Sequence, residues 1–257
     1  MGEALMRCGE ATMRLLAAYG VSTVFGVPGV HTLEFCRGLR EPGSGEDGRL
    51  VHVQTRNEEG AAYAAEGWAR ATGQPGVALV ISGPGVTNAA TGLGDAWCAS
   101  LPMLLISAEP PSQTLGKGWG VLHEISDQRA VTAPLTALSL TARRPQDVPE
   151  FLARAFTLFA SARPRPVHIS IPTDVQAMEV TEPWEPVALP PAPPAPAPAA
   201  IAAAARLLAG ARRPVIVAGG GAAEAGAAVA ALSRRLEAPV ITTTAGKGVL
   251  PDDSPFA

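Results

Sequence analysis

Two glutamates, Glu58 and Glu59, stand side by side in RNEEGAAYAAEGWARATG, Arg56 to Gly73, ahead of a run of alanines and glycines. A carboxyl in that place has two readings. The structural one is a helix start: Asn57 can cap the first turn through its side-chain oxygen, and acidic residues suit the positive end of the helix dipole. The chemical one is proton relay, because a carboxyl at the lip of an apolar cleft resists ionisation and works near neutral pH.

Three further segments share the pattern of an apolar run followed by a turn. They are Val27-Pro28-Gly29-Val30-His31, Ser82-Gly83-Pro84-Gly85-Val86-Thr87-Asn88, and the stretch after Ser107. In an open parallel sheet such turns converge at the carboxyl edge of the strands. Glycines there let the backbone approach a flat ligand. No GxSxG elbow, Walker loop or Cys–His pairing is present to suggest a protein nucleophile. The turn Gly83-Pro84-Gly85 also has a purely structural reading, as the entry to a helix capped by Thr87.

The elements that must position these turns alternate. Strands are predicted at Thr23 to Val27, Leu50 to Gln54, Gly76 to Ser82, Pro102 to Ser107 and Pro166 to Ile171. Helices are predicted at Val30 to Leu39, Asn57 to Ala71, Thr87 to Ala99 and Asp147 to Ala160, and MGEALMRCGEATMRLL reads as an amphipathic helix. Apolar strands alternating with amphipathic helices imply an α/β fold with a doubly wound parallel sheet, covered on both faces. The organisation is read as a first domain over 1–180, a Pro/Ala-rich linker over 181–200 and an incomplete second α/β domain over 201–257. The tract EPVALPPAPPAPAPAA is expected to hold neither ladder nor helix. After it come a helix (Ile201 to Gly210), a strand (Pro214 to Ala218), a helix (Ala222 to Leu236) and a strand (Pro239 to Thr243). Gly219-Gly220-Gly221 lacks the rest of GxGxxG and reads as a tight turn rather than a dinucleotide loop.

The bulk properties exclude several classes. Of 257 residues, 47% are hydrophobic and 17% charged, and the net charge is −3, with no Lys/Arg cluster, so no nucleic acid is expected as a partner. Apolar runs are too short to span a membrane. Gly2 is followed by Met6 where a myristoylation signal wants Ser or Thr. Cys8, Cys36 and Cys98 form no CxxC, which fits a cytoplasmic protein. His31, His52, His123 and His168 show no metal-ligand spacing, and no metal ligand is expected in this chain.

Taken in order, FGVPG (Phe25–Gly29), RNEEGAAYAAEGWARATG, SGPGVTNAATGLGDAWCASLPMLLISAE (Ser82–Glu109) and RPVHISIPTDV (Arg165–Val175) resemble the pyrimidine-binding domain of thiamine-diphosphate enzymes. The branch is that of acetolactate synthase, pyruvate oxidase and benzoylformate decarboxylase. The segment ending ITTTAGKGVLPDDSPF resembles the first half of that family's central domain. One departure is Asn57, where the family usually carries His.

The resemblance implies that Glu58 hydrogen-bonds the ring nitrogen of the cofactor's aminopyrimidine. Holding the proton there, Glu58 favours the imino tautomer, and the thiazolium carbon then attacks the carbonyl of a 2-oxo acid. It places Pro28, Gly29, Pro84 and Asn88 along the cofactor, and Val30, His31, Leu122 and His123 toward substrate. His123 also reads as a surface or second-shell histidine. LHEISDQRAVTAPLT is more similar to 5-guanidino-2-oxopentanoate decarboxylases; the acidic pair Glu124 and Asp127 reads either as a partner for a guanidinium tail or, equally, as solvated loop charge. Non-oxidative decarboxylation is therefore expected, with acetolactate synthase-like carboligation as the alternative.

Thiamine diphosphate is the implied cofactor and FAD a further one. Mg2+ would be bound by a diphosphate domain beyond residue 257, so this chain alone is expected to be inactive or structural. A homo-oligomer with the active site at the dimer interface is also implied, with Gly60, Ala61, Ala62, Ala64 and Ala65 packing across it.

Overall fold

The computed structural model describes residues 6–42, 49–188 and 195–257. Residues 1–5, with Gly2, and the middle of the Pro/Ala tract lie outside them. The chain divides near residue 192 into two compact units.

The first unit is built on a seven-stranded, all-parallel sheet. It begins with a short strand β1 (Met6–Arg7) and helix α1 (Cys8–Ala18). Strand β2 (Thr23–Gly26) leads through a one-turn helix α2 (Leu33–Cys36) to β3 (Leu39–Arg40) and β4 (Leu50–Gln54). Then follow α3 (Glu58–Thr72), β5 (Gly76–Val80), α4 (Pro84–Ala99) and β6 (Met103–Glu109). A long loop reaches α5 (Gln128–Thr132), and β7 (Leu138–Thr141), α6 (Asp147–Ser161) and β8 (Val167–Pro172) complete the sheet. Helix α7 (Thr173–Gln176) returns the chain to β9 (Glu179–Val180), which pairs antiparallel with β1.

The strand order is β3-β4-β2-β5-β6-β8-β7. The chain leaves β2 toward one edge and crosses back to β5 for the other, so the switch point lies between β2 and β5. Ligands of open α/β sheets bind outside the strand ends at such a point. Both faces are covered. Met13, Leu15 and Leu16 of α1 and Leu152 and Phe156 of α6 pack on one side. Ala61, Ala62 and Ala65 of α3 and Val86, Ala89 and Leu93 of α4 pack on the other.

Small residues set the closeness of that second layer. A Cβ on Gly92 would lie 2.6 Å from the Ala62 Cβ, and one on Gly76 would lie 1.8 Å from the Ala65 carbonyl oxygen. Ala61, Ala62 and Ala65 are therefore buried inside their own chain. They do not form the packing surface between copies that the sequence reading gave them. Gly60 is open, and Ala64 is half-buried against this same cluster.

Helix α3 starts as expected. Asn57 Oδ1 accepts the Glu59 N–H at 2.7 Å, and Gly73 ends the helix in the left-handed region at φ 70°. Helix α4 starts earlier than predicted, at Pro84. Proline is favoured at a first helical position, where its missing N–H costs nothing. Thr87 is accordingly not the cap, and its hydroxyl donates back to the Pro84 carbonyl at 3.0 Å. The helix predicted over Val30 to Leu39 is instead a 3-10 turn at Val30–Thr32, the short α2 and then β3. Strands β3 and β7 were not foreseen; each is short, at two and four residues.

In the second unit, α8 (Pro198–Ala209) begins inside the Pro/Ala tract, with proline again at the first turn. Strands β10 (Ile216–Ala218) and β11 (Val240–Thr242) pair in parallel, and α9 (Gly226–Leu236) connects them after a 3-10 stretch over Gly220–Ala225. Gly219-Gly220-Gly221 turns against Thr244–Gly246: a Cβ on Gly246 would lie 2.1 Å from the Ala218 carbonyl oxygen. The buried core of this unit is Ala218, Val240, Val249 and Leu250.

Candidate active site

The site is assembled from the turns that follow β2, β4 and β5, and from the loop before α5. Strand β2 lies between β4 and β5, with Gly26 in register with Gln54 and Leu79. The residues just beyond these positions are Pro28-Gly29, Asn57-Glu58 and Ser82-Gly83, so the parallel register brings the predicted turns to one edge.

Glu58 is the first residue of α3 and is 9% exposed, while Glu59 beside it faces solvent. Asn88, one turn into α4, donates its Nδ2 to Glu58 Oε2 at 3.0 Å. Among the described residues Glu58 Oε1 has no hydrogen-bond partner. The two residues singled out from separate motifs are thus a bonded pair. The amide holds one carboxylate oxygen and leaves the other open to a ligand.

The turn after β2 is closed by Thr32, whose hydroxyl donates to Gly29 O at 3.0 Å and accepts the Gly29 N–H at 3.1 Å. A Cβ on Gly29 would meet Ile81 Cγ2 at 2.6 Å, so this turn lies directly against the end of β5. Pro28 is exposed and Val30 is 65% exposed, as is Leu122 at 60%. His31 is buried, and its ring lies 5.3 Å from that of His123. Burial, and secondarily the charge of His123, push the His31 pKa below its ordinary value. His123 holds a left-handed backbone, φ 62°, which histidine tolerates better than most residues.

Among the described residues, three buried side-chain atoms have no hydrogen-bond partner: His31 Nδ1, His123 Nδ1 and Ser82 Oγ. All three belong to the turns of this edge. Buried polar atoms normally find partners, so these three are open to water or to a polar ligand.

Glu124 and Asp127 do not form the free acidic pair foreseen for a guanidinium. Glu124 accepts N–H groups of Gly118 at 2.8 Å, Gly120 at 2.7 Å and Val121 at 3.2 Å, holding a loop in which Gly116, Gly118 and Gly120 all have positive φ. Asp127 caps α5 by accepting the Ala130 N–H at 3.0 Å. Both carboxylates are engaged with backbone.

Sequence reasoning missed a buried polar chain that supports this edge. Gln128 accepts the Gly83 N–H at 2.8 Å and donates to Ser107 Oγ at 2.8 Å. Ser107 Oγ bonds His168 Nε2 at 2.7 Å, and His168 Nδ1 bonds Thr132 Oγ1 at 2.7 Å. Full burial drops the His168 pKa to about 3, so this imidazole is neutral. The available signal was the alternation in VHISI, which puts His168 and Ser170 on one face of an otherwise apolar strand.

Comparison with known proteins decides the family. Residues 6–131 match the thiamine pyrophosphate enzyme, N-terminal TPP binding domain, and residues 201–257 match the central domain of the same enzymes. The chain belongs to the thiamine pyrophosphate enzymes. It is 57% identical, over 98% of its length and 44% of the relative's, to a probable 2-ketoarginine decarboxylase, AruI, of Pseudomonas aeruginosa. It is 38% identical, over 98% of its length and 42% of the relative's, to a probable acetolactate synthase large subunit of Methanocaldococcus jannaschii. An acetolactate synthase large subunit of Lactococcus lactis is 35% identical over 67% of the chain and 29% of its own length. The chain thus spans less than half the length of these relatives.

The residues at the edge fit the pyrimidine half of the family's cofactor. Glu58 offers a carboxyl at the end of a helix, Asn88 orients it, and the Gly29 and Gly83 turns present backbone. No group of His, Cys, Asp or Glu among the described residues is arranged to hold a metal, and no described helix is long and apolar enough to cross a membrane.

Proposed function

We propose that this chain supplies the aminopyrimidine half of the active site of a thiamine-diphosphate-dependent 2-oxo acid decarboxylase, acting on an acid with a guanidino tail. The observation that carries the reading is the Glu58–Asn88 pair at the switch point of the sheet. Bound thiamine diphosphate supplies a carbon nucleophile and an electron sink for decarboxylation. Glu58 holds the proton at the pyrimidine ring nitrogen. Asn88 keeps its carboxyl turned into the cleft, and Pro28, Gly29 and Pro84 set the backbone against the rings.

His31 and His123 carry the choice of reaction. Decarboxylation ends with delivery of a proton to carbon, whereas carboligation ends with a second 2-oxo acid. A buried imidazole, His31, beside the half-buried His123, each with an unpartnered Nδ1, suits proton delivery. Val30 and Leu122, both exposed, supply apolar wall to the substrate chain. The likeness to a probable 2-ketoarginine decarboxylase supports a guanidino substrate. Its tail is met by groups other than Glu124 and Asp127. Mg2+ and the diphosphate are held by the part of the relatives' length outside this chain. A second copy completes the site through the exposed face of α3, and the enzyme works in the cytosol.

The test incubates the complete enzyme with thiamine diphosphate, Mg2+ and a panel of 2-oxo acids that includes 2-ketoarginine and pyruvate. CO2 and products are followed by mass. CO2 with a guanidino aldehyde supports the proposal. Acetolactate-type products transfer the assignment to carboligation, and absence of turnover with every acid overturns both.

A further inference from the structure

Gln128 has no part in the proposed chemistry, yet its side chain bonds both the Gly83 turn and the end of β6. It opens α5 directly after the loop bearing Leu122 and His123, and it is 3% exposed. Its Oε1 accepts the Gly83 N–H at 2.8 Å, and its Nε2 donates to Ser107 Oγ and to the Ala108 carbonyl, each at 2.8 Å. Both amide protons and one carbonyl lone pair are therefore used.

The Gly83 end is the informative one. Gly83 is the N-cap of α4 at φ 57°, and its N–H lies outside the helix ladder. Without Gln128 that buried donor has no partner. A Cβ on Gly83 would sit 2.2 Å from the His123 carbonyl oxygen, so the turn is pressed against the backbone of the substrate-facing loop. The turn is thus gripped from two sides, by the His123 backbone and by the Gln128 side chain. Gln128 is anchored in turn to the end of β6. One side chain ties the turn carrying Pro84, the loop carrying His123 and the central sheet.

We propose that Gln128 is a positioning residue that locks the cofactor-facing Ser82–Pro84 turn to the substrate-facing loop, a role that rests on the function assigned above. It touches neither ligand and acts through Gly83. Releasing it leaves the turn free to sample other arrangements. Apparent cofactor affinity then falls by the fraction of molecules that remain competent, while molecules that do bind turn over normally.

The experiment has two arms and two variants. In this chain, amide hydrogen exchange of Gly83 is compared with that of Leu105 and Ile169. In the complete enzyme, KM for thiamine diphosphate is measured beside kcat. Gln128→Met keeps length and removes all three bonds. Gln128→Glu keeps an oxygen for the Gly83 N–H.

Gln128→Met is expected to speed Gly83 exchange about tenfold, the loss of roughly one hydrogen bond, with Leu105 and Ile169 unchanged. KM for thiamine diphosphate should rise about tenfold with kcat within about threefold. Gln128→Glu should keep Gly83 nearer wild type than Gln128→Met does. Unchanged Gly83 exchange overturns the proposal. So does equal acceleration of Gly83, Leu105 and Ile169, which would make Gln128 a general core residue. Failure of the wild-type enzyme to bind thiamine diphosphate overturns the functional reading instead, and the exchange arm still decides whether Gln128 holds the turn.

Discussion

Two sets of buried polar side chains lie on the same parallel sheet and differ in one respect. On β6 and β8, His168 and Ser107 are linked to each other and to Gln128 and Thr132, and Ser170 is linked to Glu109 and Thr141. At the switch-point edge, His31 Nδ1, His123 Nδ1 and Ser82 Oγ have no partner among the described residues. A buried polar group without a partner costs about 1–3 kcal/mol, so a fold keeps such groups where something other than its own stability requires them. We read the first set as structural support and the second as part of the proposed site. Substitutions should accordingly damage stability in one and turnover in the other.

The largest effect is expected at Glu58, which belongs to the edge. Glu58→Gln keeps the size and an oxygen for Asn88 but loses the ionisable proton. In the complete enzyme, turnover of a 2-oxo acid should fall by about 10³-fold or more, the scale of a lost proton-transfer group. Thermal unfolding of the same variant should shift by only a few degrees. A variant that unfolds early but stays active when folded would put Glu58 with the support set and break the comparison.

The next effect lies in the support set. His168→Leu leaves Ser107 and Thr132 each short of one partner inside the sheet and should cost about 3 kcal/mol in urea unfolding. His123→Asn, which tolerates the left-handed backbone, should cost less than about 0.5 kcal/mol and lower turnover instead. Equal stability losses at the two histidines would erase the distinction between the sets.

Legibility in the sequence divides along the same line. The edge was readable because its parts announce themselves: Asn57-Glu58-Glu59 at a helix start, Pro28-Gly29 after a strand, Gly83-Pro84 before a helix. Period and turn chemistry also sufficed for the parallel sheet, since β5 and the first four residues of β6 are continuous apolar runs. The support was not readable. Gln128, Ser107 and His168 lie 21 and 61 residues apart along the chain and meet only through the β6–β8 pairing. Nothing local in DQRAVT says that its glutamine reaches Gly83. The same limit misassigned Glu124 and Asp127, whose backbone partners depend on a glycine loop that a list of residues does not fold. It also sent Ala61, Ala62 and Ala65 outward, when the alternative was a close helix pair within the chain. Pro84 was read as part of the turn before a helix and Pro198 as part of a linker, although first-turn proline is a start signal.

Acid should sharpen the comparison further. Burial holds the folded His168 pKa at about 3, against about 6.5 for an exposed histidine. Between those values the unfolded chain binds the proton and the folded chain does not. Stability is therefore full above about pH 6.5 and falls as pH drops toward 3. From pH 6.5 to 5 the His168 share of that loss is about 2 kcal/mol. His31, also lowered by burial, adds in the same direction, and Glu109, raised by burial, opposes it. Urea midpoints at several pH values should show the slope, and His168→Gln should flatten it. A slope that His168→Gln leaves unchanged would mean that burial of this imidazole does not set the pH dependence.

The smallest effects compare two serines one strand apart. Ser107 Oγ stands between Gln128 Nε2 and His168 Nε2, so Ser107→Ala strips a partner from both and should cost about 1–2 kcal/mol. Ser82 is equally buried, at 0% exposure, but its hydroxyl has no partner, so Ser82→Ala removes only a desolvated group. Its stability should change by no more than about 0.5 kcal/mol, with a gain as the expected sign. The two chemically identical substitutions differ only in what the hydroxyl meets. If Ser82→Ala instead costs as much as Ser107→Ala, the Ser82 hydroxyl is bonded in the folded chain, and the argument that this edge is kept polar for a ligand loses one of its three supports.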